Sequence, residues 1–388
     1  MKILVIASTL DLKYRLGCTP SWWQLLKALH ETGNEVIVIP YLGRPVKSLW
    51  WRTYENPCAR ESIIFNSYLE RKKKKGKLPG KKGLFSSLAG GIINHYIRPK
   101  WEKHLLNILK KEENVDVVLF MSVPLNQITG IPTEIKKKLG IPVAYYDGDM
   151  PTILPKYATE RGFKFNYYDG ADLSEYDAFF TNSKGVISDL TEMGAKNTYP
   201  LYYAVDPVLF TPVKIKKDID VSFFGYGSEF REKWMKKMIT NPSRKMQGVN
   251  FSVGGGNFGI DLGRAKLVGD LSYSQFREFC CRSKITLNIT RRSHTSVYAS
   301  STSRPFELAA FGSCIVSQPY NGIEEWFEPG KEIFVVKSEE EAIESYKRLL
   351  SHDKEREMMG KQARKRVLKE HTYQHRARQL VKILNTAK

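Results

Sequence analysis

Short apolar runs alternate with amphipathic stretches along the first half of the chain. Residues 2–8 and 35–40 are almost entirely apolar, and residues 22–31 between them carry apolar side chains at helical spacing. Runs of this length, bounded by turn residues, predict buried strands joined by a helix. Further buried strands are predicted at residues 115–121, 142–146 and 178–181. This alternation predicts a doubly wound α/β domain with a parallel sheet.

A second series of the same kind begins after Asp206-Pro207. Its strands are predicted at residues 220–225, 250–253, 285–289, 314–317 and 333–336, with a helix at 230–238 and helices from 339 to 388. A chain of 388 residues is also longer than one core usually spans. We therefore predict two Rossmann-like domains, residues 1–206 and 207–365, followed by a helical end at 366–388.

Residues 303–316 (SRPFELAAFGSCIV) are the most informative segment. The pattern predicts a helix that ends at Gly312 and is followed by a strand, with Arg304 and Glu307 in the first turns. Ligands of α/β proteins bind at the ends of strands, where such a helix starts. A carboxylate accepts two hydrogen bonds from a ribose diol, and a guanidinium suits a phosphate. The alternative is an ion pair that only stabilises the helix.

Composition narrows the possible partners less than the pattern does. The 61 basic and 41 acidic residues give a net charge of +20, which suits nucleic acid, anionic lipid or phosphorylated small substrates alike. The cysteines form no C-x-x-C pair, so we expect reduced thiols in a cytoplasmic protein. The first apolar run is too short for a signal peptide, and no apolar stretch approaches the roughly 20 residues that span a bilayer. We expect a soluble or peripheral protein.

An insertion at about residues 44–105 carries a basic run at 71–75, with Lys77, Lys81 and Lys82 close behind it. An apolar stripe follows directly, from Leu84 to Tyr96. One interpretation is a solvated or disordered loop. The other is that residues 70–97 dock on an anionic membrane, which would place the protein on the cytoplasmic membrane face.

Several motifs of the second half occur in a defined order. They are Ser222-Phe223-Phe224-Gly225 with Arg231, Leu271-Ser272-Tyr273, Ser283 to Ile289 (SKITLNI), and Ser303 to Gly312. This series resembles the C-terminal domain of GT-B glycosyltransferases, and more narrowly the group-1 transferases related to the spore-maturation protein CgeB. The first half resembles that group more loosely, through Thr181 to Lys184 (TNSK) and through Val205-Asp206-Pro207 with Phe210. The resemblance implies two domains facing across a cleft, with the nucleotide on the second domain.

The resemblance also implies roles for individual residues. It assigns Glu307 to the ribose, and Arg304, Arg231 and Lys284 to the diphosphate. Other motif residues expected at the nucleotide-sugar site are Gly225, Tyr273, Ser303 and Phe306, with Gly17 in the first loop. Enzymes of this fold stabilise the leaving diphosphate with cations and helix N-termini, so the resemblance implies no metal and no cofactor.

One position departs from the family pattern. Related retaining transferases carry a second glutamate eight positions before the ribose glutamate, and here that position is Ala299. The donor sugar and the stereochemical outcome therefore stay open. The preceding loop offers His294 and Tyr298 as candidates for contact with the sugar, the alternative being a solvated loop.

Asp147-Gly148-Asp149 lies at a strand end of the first domain, where the resemblance places the acceptor. An inverting enzyme needs a general base to remove the proton of the acceptor hydroxyl, and both carboxylates are candidates. The alternative is a turn held by Asx hydrogen bonds. We predict no metal at this sequence.

Together these features predict a metal-independent glycosyltransferase. Its donor would be a UDP- or GDP-linked sugar, and its acceptor a hydroxyl of a lipid-linked, polysaccharide or cell-surface glycan. One alternative is a nucleotide-sugar 2-epimerase of the same fold, and another is a catalytically silent scaffold that binds polyanions through the basic insertion. No recognised RNA-binding module is present, so no specific nucleic-acid partner is expected.

Overall fold

The computed structural model describes residues 1–10, 21–61, 91–154, 156–157, 167–227 and 230–386. These residues form two parallel sheets, each covered by helices on both faces. Gly17 and the basic run of the insertion lie outside the described residues, so their predicted roles stay predictions.

The first sheet has seven strands in the order β3-β2-β1-β4-β5-β6-β7. Every neighbouring pair is parallel. The strands are β1 (Lys2–Thr9), β2 (Glu35–Leu42), β3 (Arg52–Thr53), β4 (Val117–Met121), β5 (Val143–Asp147), β6 (Ala178–Thr181) and β7 (Thr198–Pro200). The order reverses between β1 and β4, which is the place where doubly wound sheets open a ligand crevice.

The second sheet has six parallel strands in the order β10-β9-β8-β11-β12-β13. The strands are β8 (Ile219–Tyr226), β9 (Phe251–Gly256), β10 (Lys266–Gly269), β11 (Ser283–Asn288), β12 (Cys314–Ser317) and β13 (Phe334–Val335). Its order reverses between β8 and β11, so each domain carries one crevice of the same kind.

Thirteen α-helices are present in the part of the chain that the structure describes. In the first domain they are α1 (Ser21–Glu31), α2 (Arg98–Lys111), α3 (Leu125–Ile128), α4 (Ile131–Leu139) and α5 (Ile187–Glu192). In the second series they are α6 (Glu232–Met235), α7 (Asn241–Lys245), α8 (Tyr273–Arg282), α9 (Arg292–Ser296), α10 (Ser303–Ala310), α11 (Glu339–Ser351), α12 (Asp353–Glu370) and α13 (Tyr373–Thr386). A capping box of Ser272 and Gln275 begins α8.

The apolar runs are continuous because each sheet is buried on both faces. Along β1, Leu4 and Ile6 contribute to one hydrophobic core, while Ile3 and Val5 contribute to the core on the opposite face. Successive side chains of a strand point to opposite faces, so a fully apolar strand supplies both cores.

The chain crosses between the domains twice, and the two crossings pair with each other. Val205 forms a parallel bridge with Thr372, and the N–H of Tyr373 donates to the carbonyl of Val205 over 3.1 Å. Beside them, the buried Lys27 of α1 donates to Asp206 over 2.6 Å. The last helix, α13, then packs on α1 of the first domain. The predicted boundary near residue 207 lies in this connection.

The long predicted strands are all present, and the differences concern short or glycine-rich segments. Strands β3, β7 and β10 had no prediction, since two to four residues carry too little pattern. The predicted strand at 250–253 extends further, because Gly254 to Gly256 continue strand β9. A Cβ at Gly255 would overlap the carbonyl oxygen of Gly225, so glycine allows the two strand ends to approach closely.

Candidate functional site

The carboxyl ends of the two sheets meet at the junction of the domains. Residue Ser183, just beyond β6, forms an antiparallel bridge with Ser300, which precedes α10 of the second domain. The candidate donor residues lie on the loops that follow β8 and β11, and on helix α10, which precedes β12. The candidate acceptor residues follow β5.

Glu307 is almost fully buried in the second turn of α10. One of its carboxylate oxygens lies 2.8 Å from a guanidinium nitrogen of Arg304, as in the predicted helix ion pair. This contact lacks hydrogen-bond geometry, and both atoms stay without a hydrogen-bond partner among the described residues. A buried polar atom without a partner is unfavourable, and ligand hydroxyls would supply the missing donors.

Arg304 is held by two aromatic rings. Its guanidinium lies 5.0 Å from the ring centre of Phe224 on β8 and 4.4 Å from that of Phe276 on α8. Cation–π contacts of this length fix the orientation of the guanidinium without using its N–H donors. Apart from the nitrogen that pairs with Glu307, the N–H groups therefore stay available to an anion.

Arg231 is anchored to two strand ends. It donates to the carbonyl of Ile289 over 3.0 Å and to that of Tyr226 over 2.6 Å. Burial, together with the charges of Arg291 and Arg304, lowers its pKa to about 9. We call Arg231, Arg291 and Arg304 the arginine cluster. Mutual repulsion among these cations favours a bound anion.

The N-terminus of α10 adds to this positive region. Its N-cap is Thr302, whose side chain makes no capping hydrogen bond and whose hydroxyl has no partner among the described residues. Ser303, the first helical residue, is only partly buried. A helix start with uncapped backbone N–H groups attracts negative charge.

Two further predicted residues border the same region. The hydroxyl of Tyr273 is buried without a hydrogen-bond partner in the described chain, and its ring meets Phe210 edge-on at 5.7 Å. Burial raises the pKa of Tyr273 to about 12, and the charge of Glu307 contributes. Gly225 ends the strand beside the ring of Phe223, which lies 2.7 Å from where a Cβ would be. Any larger residue there would displace this ring.

Three predicted site residues lie elsewhere. Lys284 is at the amino end of β11, where it pairs with Asp220 over 2.8 Å, whereas the arginine cluster lies at the carboxyl end. Phe306 is fully buried against Trp326 and Phe327 because it is on the core face of α10. The structure brings neither residue to the arginine cluster, so these two predictions are corrected.

Tyr298 is the third residue with a different place. Its hydroxyl donates to Glu325 over 2.7 Å, and the ammonium group of Lys184 lies 5.6 Å from its ring centre. Tyr298 is therefore part of the contact between the domains. The described structure gives it no contact with the arginine cluster.

His294 is buried beside the arginine cluster. Its Nδ1 lies 3.0 Å from the hydroxyl of Ser300. Burial lowers the pKa of His294 to about 3, and the charges of Arg291 and Arg231 contribute. The imidazole is therefore neutral at physiological pH, which makes it a hydrogen-bonding group rather than a cation.

The two candidate bases differ in their surroundings. Asp147 is fully buried, and its oxygens accept hydrogen bonds from the hydroxyl of Tyr168 over 2.5 Å and from the N–H of Asp149 over 2.9 Å. Burial raises the pKa of Asp147 to about 7, with a contribution from Asp149. Asp149 keeps contact with solvent, yet the surrounding protein still desolvates its carboxylate, which raises its pKa, and the charge of Arg291 partly opposes this rise.

Ala299, at the position of the missing glutamate, is fully buried in a left-handed backbone conformation with φ of 45°. Its N–H donates to Asn321 over 2.9 Å, and its carbonyl accepts from the N–H of Lys184 over 3.1 Å. A Cβ on the neighbouring Gly322 would overlap the backbone of Ala299. The segment is therefore packed between the domains, with a methyl group at this position.

No motif predicted a role for Arg291, Ser300 or Asn182, which also lie at this site. Arg291 is in the loop after β11, and that position was its only signal. No group of three or more histidine, cysteine or acidic side chains suited to a metal ion occurs among the described residues.

Residues 231–382 match the protein family described as "Glycosyl transferase-like". This range includes the arginine cluster, His294 and Glu307. A search of curated proteins found no match.

Solved structures resemble the whole chain in fold. Sucrose-phosphate synthase from Thermosynechococcus elongatus matches with a TM-score of 0.66 and 12% identity, covering 100% of this chain and 99% of that one. HepE from Anabaena, in complex with UDP-glucose, matches with a TM-score of 0.60 and 12% identity, covering 100% of both chains. The E. coli trehalose-6-phosphate protein bound with UDP-2-fluoro glucose matches with a TM-score of 0.63 and 12% identity, covering 98% of both chains.

At this identity the solved structures establish the architecture, two parallel Rossmann-like sheets arranged as in GT-B enzymes. The chain therefore has the GT-B fold, and this fold together with the family match over residues 231–382 supports a glycosyltransferase.

Proposed function

We propose that the protein transfers a sugar from a UDP- or GDP-linked donor to a hydroxyl acceptor, without a metal ion. The observation that carries this proposal is the start of α10, where the buried carboxylate of Glu307 and the arginine cluster lie together at the strand ends. We also propose that the chain belongs to the CgeB-like transferases, on the order of its motifs.

In this proposal the donor lies on the second domain. Glu307 accepts hydrogen bonds from the ribose diol, which suits an oxygen that has an ion pair with Arg304 but no hydrogen-bond donor among the described residues. Arg304, Arg231 and Arg291 contact the diphosphate together with the backbone N–H groups that start α10. When the sugar–phosphate bond breaks, negative charge grows on the departing nucleoside diphosphate, and these fixed cations stabilise it.

The acceptor lies on the first domain. Asp149 is the proposed general base if the reaction inverts the anomeric carbon, because its side chain is exposed. Asp147 holds the turn, since both of its oxygens already accept hydrogen bonds. His294, which is neutral, is the proposed contact to the donor sugar.

The neighbours favour a uridine donor. HepE was crystallised with UDP-glucose, with UDP, and with UDP and glucose. For the present chain, UDP-glucose is therefore the first donor to test.

We also propose that the acceptor is a glycan or lipid-linked glycan at the cytoplasmic membrane face. Ile92 and Tyr96, which follow the basic run within the insertion, are 59% and 51% exposed. Among the described helices, none is both long and apolar enough to span a bilayer. We expect sedimentation with phosphatidylserine vesicles to need residues 70–83 and to be absent with neutral vesicles, whereas equal sedimentation of the deletion variant would contradict membrane docking.

Incubation with UDP-glucose and no acceptor tests the reaction itself. We expect binding in calorimetry and slow release of free glucose and UDP, since water replaces the acceptor. Conversion of the donor to an epimeric sugar nucleotide would contradict transfer and favour an epimerase. No binding of UDP- or GDP-linked sugars would contradict the proposal as a whole.

A further inference from the structure

Two segments join the domains at the candidate site. We call residues 182–185 of the first domain and 298–301 of the second the seam. Three backbone hydrogen bonds connect them, from the N–H of Lys184 to Ala299 O (3.1 Å), of Gly185 to Tyr298 O (2.9 Å), and of Ser301 to Asn182 O (2.9 Å). Asn182, Ser183, Ser300 and Ser301 are completely buried.

Side chains add to the backbone pairing of the seam. The hydroxyl of Ser301 donates to the carbonyl of Asn182 and accepts from the N–H of Tyr203, both over 2.9 Å. At Gly185, a Cβ would lie 2.9 Å from backbone atoms of Tyr298, so only glycine allows this approach. The seam is a packed and hydrogen-bonded connection between the donor and acceptor halves of the cleft.

The seam also holds the loop that carries the proposed base. The carbonyl of Met150, next to Asp149, accepts from the side-chain amide of Asn182 over 2.9 Å and from the hydroxyl of Ser300 over 3.4 Å. The same amide of Asn182 donates to the carbonyl of Ser301 over 3.0 Å. The position of Asp149 is thereby tied to the second domain.

The hydrogen bonds of Ser300 determine the state of His294. A serine hydroxyl has a single proton, and the carbonyl of Met150, 3.4 Å away, only accepts. In the arrangement where Ser300 donates to Met150, Nδ1 of His294, which lies 3.0 Å from the serine oxygen, is the donor, and this is the arrangement that we infer. A neutral imidazole with its proton on Nδ1 has a lone pair on Nε2.

Nε2 has no hydrogen-bond partner among the described residues and is not sealed from solvent. A lone pair accepts a hydrogen bond from a hydroxyl, whereas it repels a phosphate oxygen, which is itself an acceptor. The imidazole is therefore suited to a sugar hydroxyl beside the phosphates that the arginine cluster would bind.

We propose that Ser300 and Asn182 are positioning residues of the transfer reaction: they fix His294 with Nε2 as an acceptor for a hydroxyl of the donor sugar, in register with Asp149. This inference rests on the proposed function. In addition, the seam sets both the contact of His294 with the sugar and the position of the proposed base, Asp149.

Nitrogen NMR of the full-length protein, labelled with ¹⁵N-histidine, tests the tautomer without relying on activity. His294→Asn identifies the resonances by their loss. We expect a protonated Nδ1 and an unprotonated Nε2 in the wild type, with no titration between pH 5 and 8. Ser300→Ala should give a mixture of tautomers, whereas Ser313→Ala, which removes a buried hydroxyl without a partner in the described chain, should change nothing. A protonated Nε2 in the wild type would overturn the inference.

Kinetics test the positioning role. We expect Ser300→Ala to lower kcat about 10-fold with the donor KM nearly unchanged, because one hydrogen bond to the reacting sugar is lost. Adding Ser300→Ala to His294→Asn should have little further effect, since Ser300 acts through His294. Equal kcat for the Ser300 and Ser313 variants, or fully additive effects, would overturn the inference. Absence of any transfer by the wild type would contradict the proposed function, while the NMR result would still decide the tautomer.

Discussion

The two sides of the cleft have the same architecture and opposite charge. In the first domain the strand end carries Asp147 and Asp149, and in the second domain the strand ends carry the arginine cluster. Burial raises the pKa of Asp147 to about 7 and lowers that of Arg231 to about 9. Both pKa shifts mean that burial disfavours the charged form of the side chain. Each side of the cleft therefore lacks nearby groups of opposite charge. A parallel sheet thus supplies a crevice in each domain, and the side chains at the strand ends decide what it binds.

The largest expected effect concerns the acidic side. Asp149→Asn should lower the rate of transfer by about 10²- to 10⁴-fold if Asp149 is the general base, because the amide cannot take a proton. Calorimetry should show unchanged UDP affinity, since the nucleotide lies on the other side. Full transfer activity of the variant would contradict the role of Asp149.

The basic side should respond through binding. Glu307→Ala should weaken UDP binding by about 1–3 kcal/mol, because the ribose loses charge-assisted hydrogen bonds. Calorimetry measures this, with 2′,3′-dideoxyuridine diphosphate as the matched ligand that lacks the diol. If the variant loses as much affinity for the dideoxy ligand as for UDP, Glu307 does not contact the ribose.

Arg304 separates phosphate recognition from base and ribose recognition. Arg304→Met should lower the affinity for UDP about 10-fold and leave that for uridine almost unchanged, because only UDP carries the diphosphate. The methionine can still pack between Phe224 and Phe276. An equal loss for both ligands would indicate a general disturbance of α10 instead.

A smaller effect concerns pH. The folded protein binds a proton at Asp147 up to about pH 7, whereas the unfolded chain releases it near pH 4. Proton binding at Asp147 therefore adds to the free energy of unfolding. This stabilisation is fully present below about pH 4 and is lost as the pH rises through 7. Relative to Asp147→Asn, the Tm of the wild type should therefore fall between pH 5 and 8. A constant difference in Tm would contradict the raised pKa.

The smallest effect is expected at Lys284. Lys284→Ala should leave UDP affinity unchanged and reduce stability by at most about 1 kcal/mol, because its partly exposed pair with Asp220 lies away from the cleft. Calorimetry and thermal unfolding check this. A clear loss of UDP affinity would restore Lys284 to the donor site.

The fold was largely predictable because buried parallel strands are apolar on both faces. The sequence also located Arg304 and Glu307, since a helix start after a turn has a recognisable pattern. The misplacements have physical reasons. Lys284 was assigned to the site through its motif alone, although it lies at the amino end of β11 and ligands bind at the carboxyl ends of parallel strands.

The seam was beyond sequence reasoning for another reason. Asn182 contacts Met150 and Ser301 through a single amide, although these residues are distant in sequence. Ser300 likewise connects His294 to Met150. Such contacts depend on how the two domains meet, which no local pattern encodes.

A crystal structure of the protein with UDP would show which side of the cleft binds the nucleotide. We predict the ribose at Glu307, the diphosphate between Arg231 and Arg304 at the start of α10, and no nucleotide beside Asp149. Nucleotide bound at the Asp149 side of the cleft, or away from the arginine cluster, would contradict it.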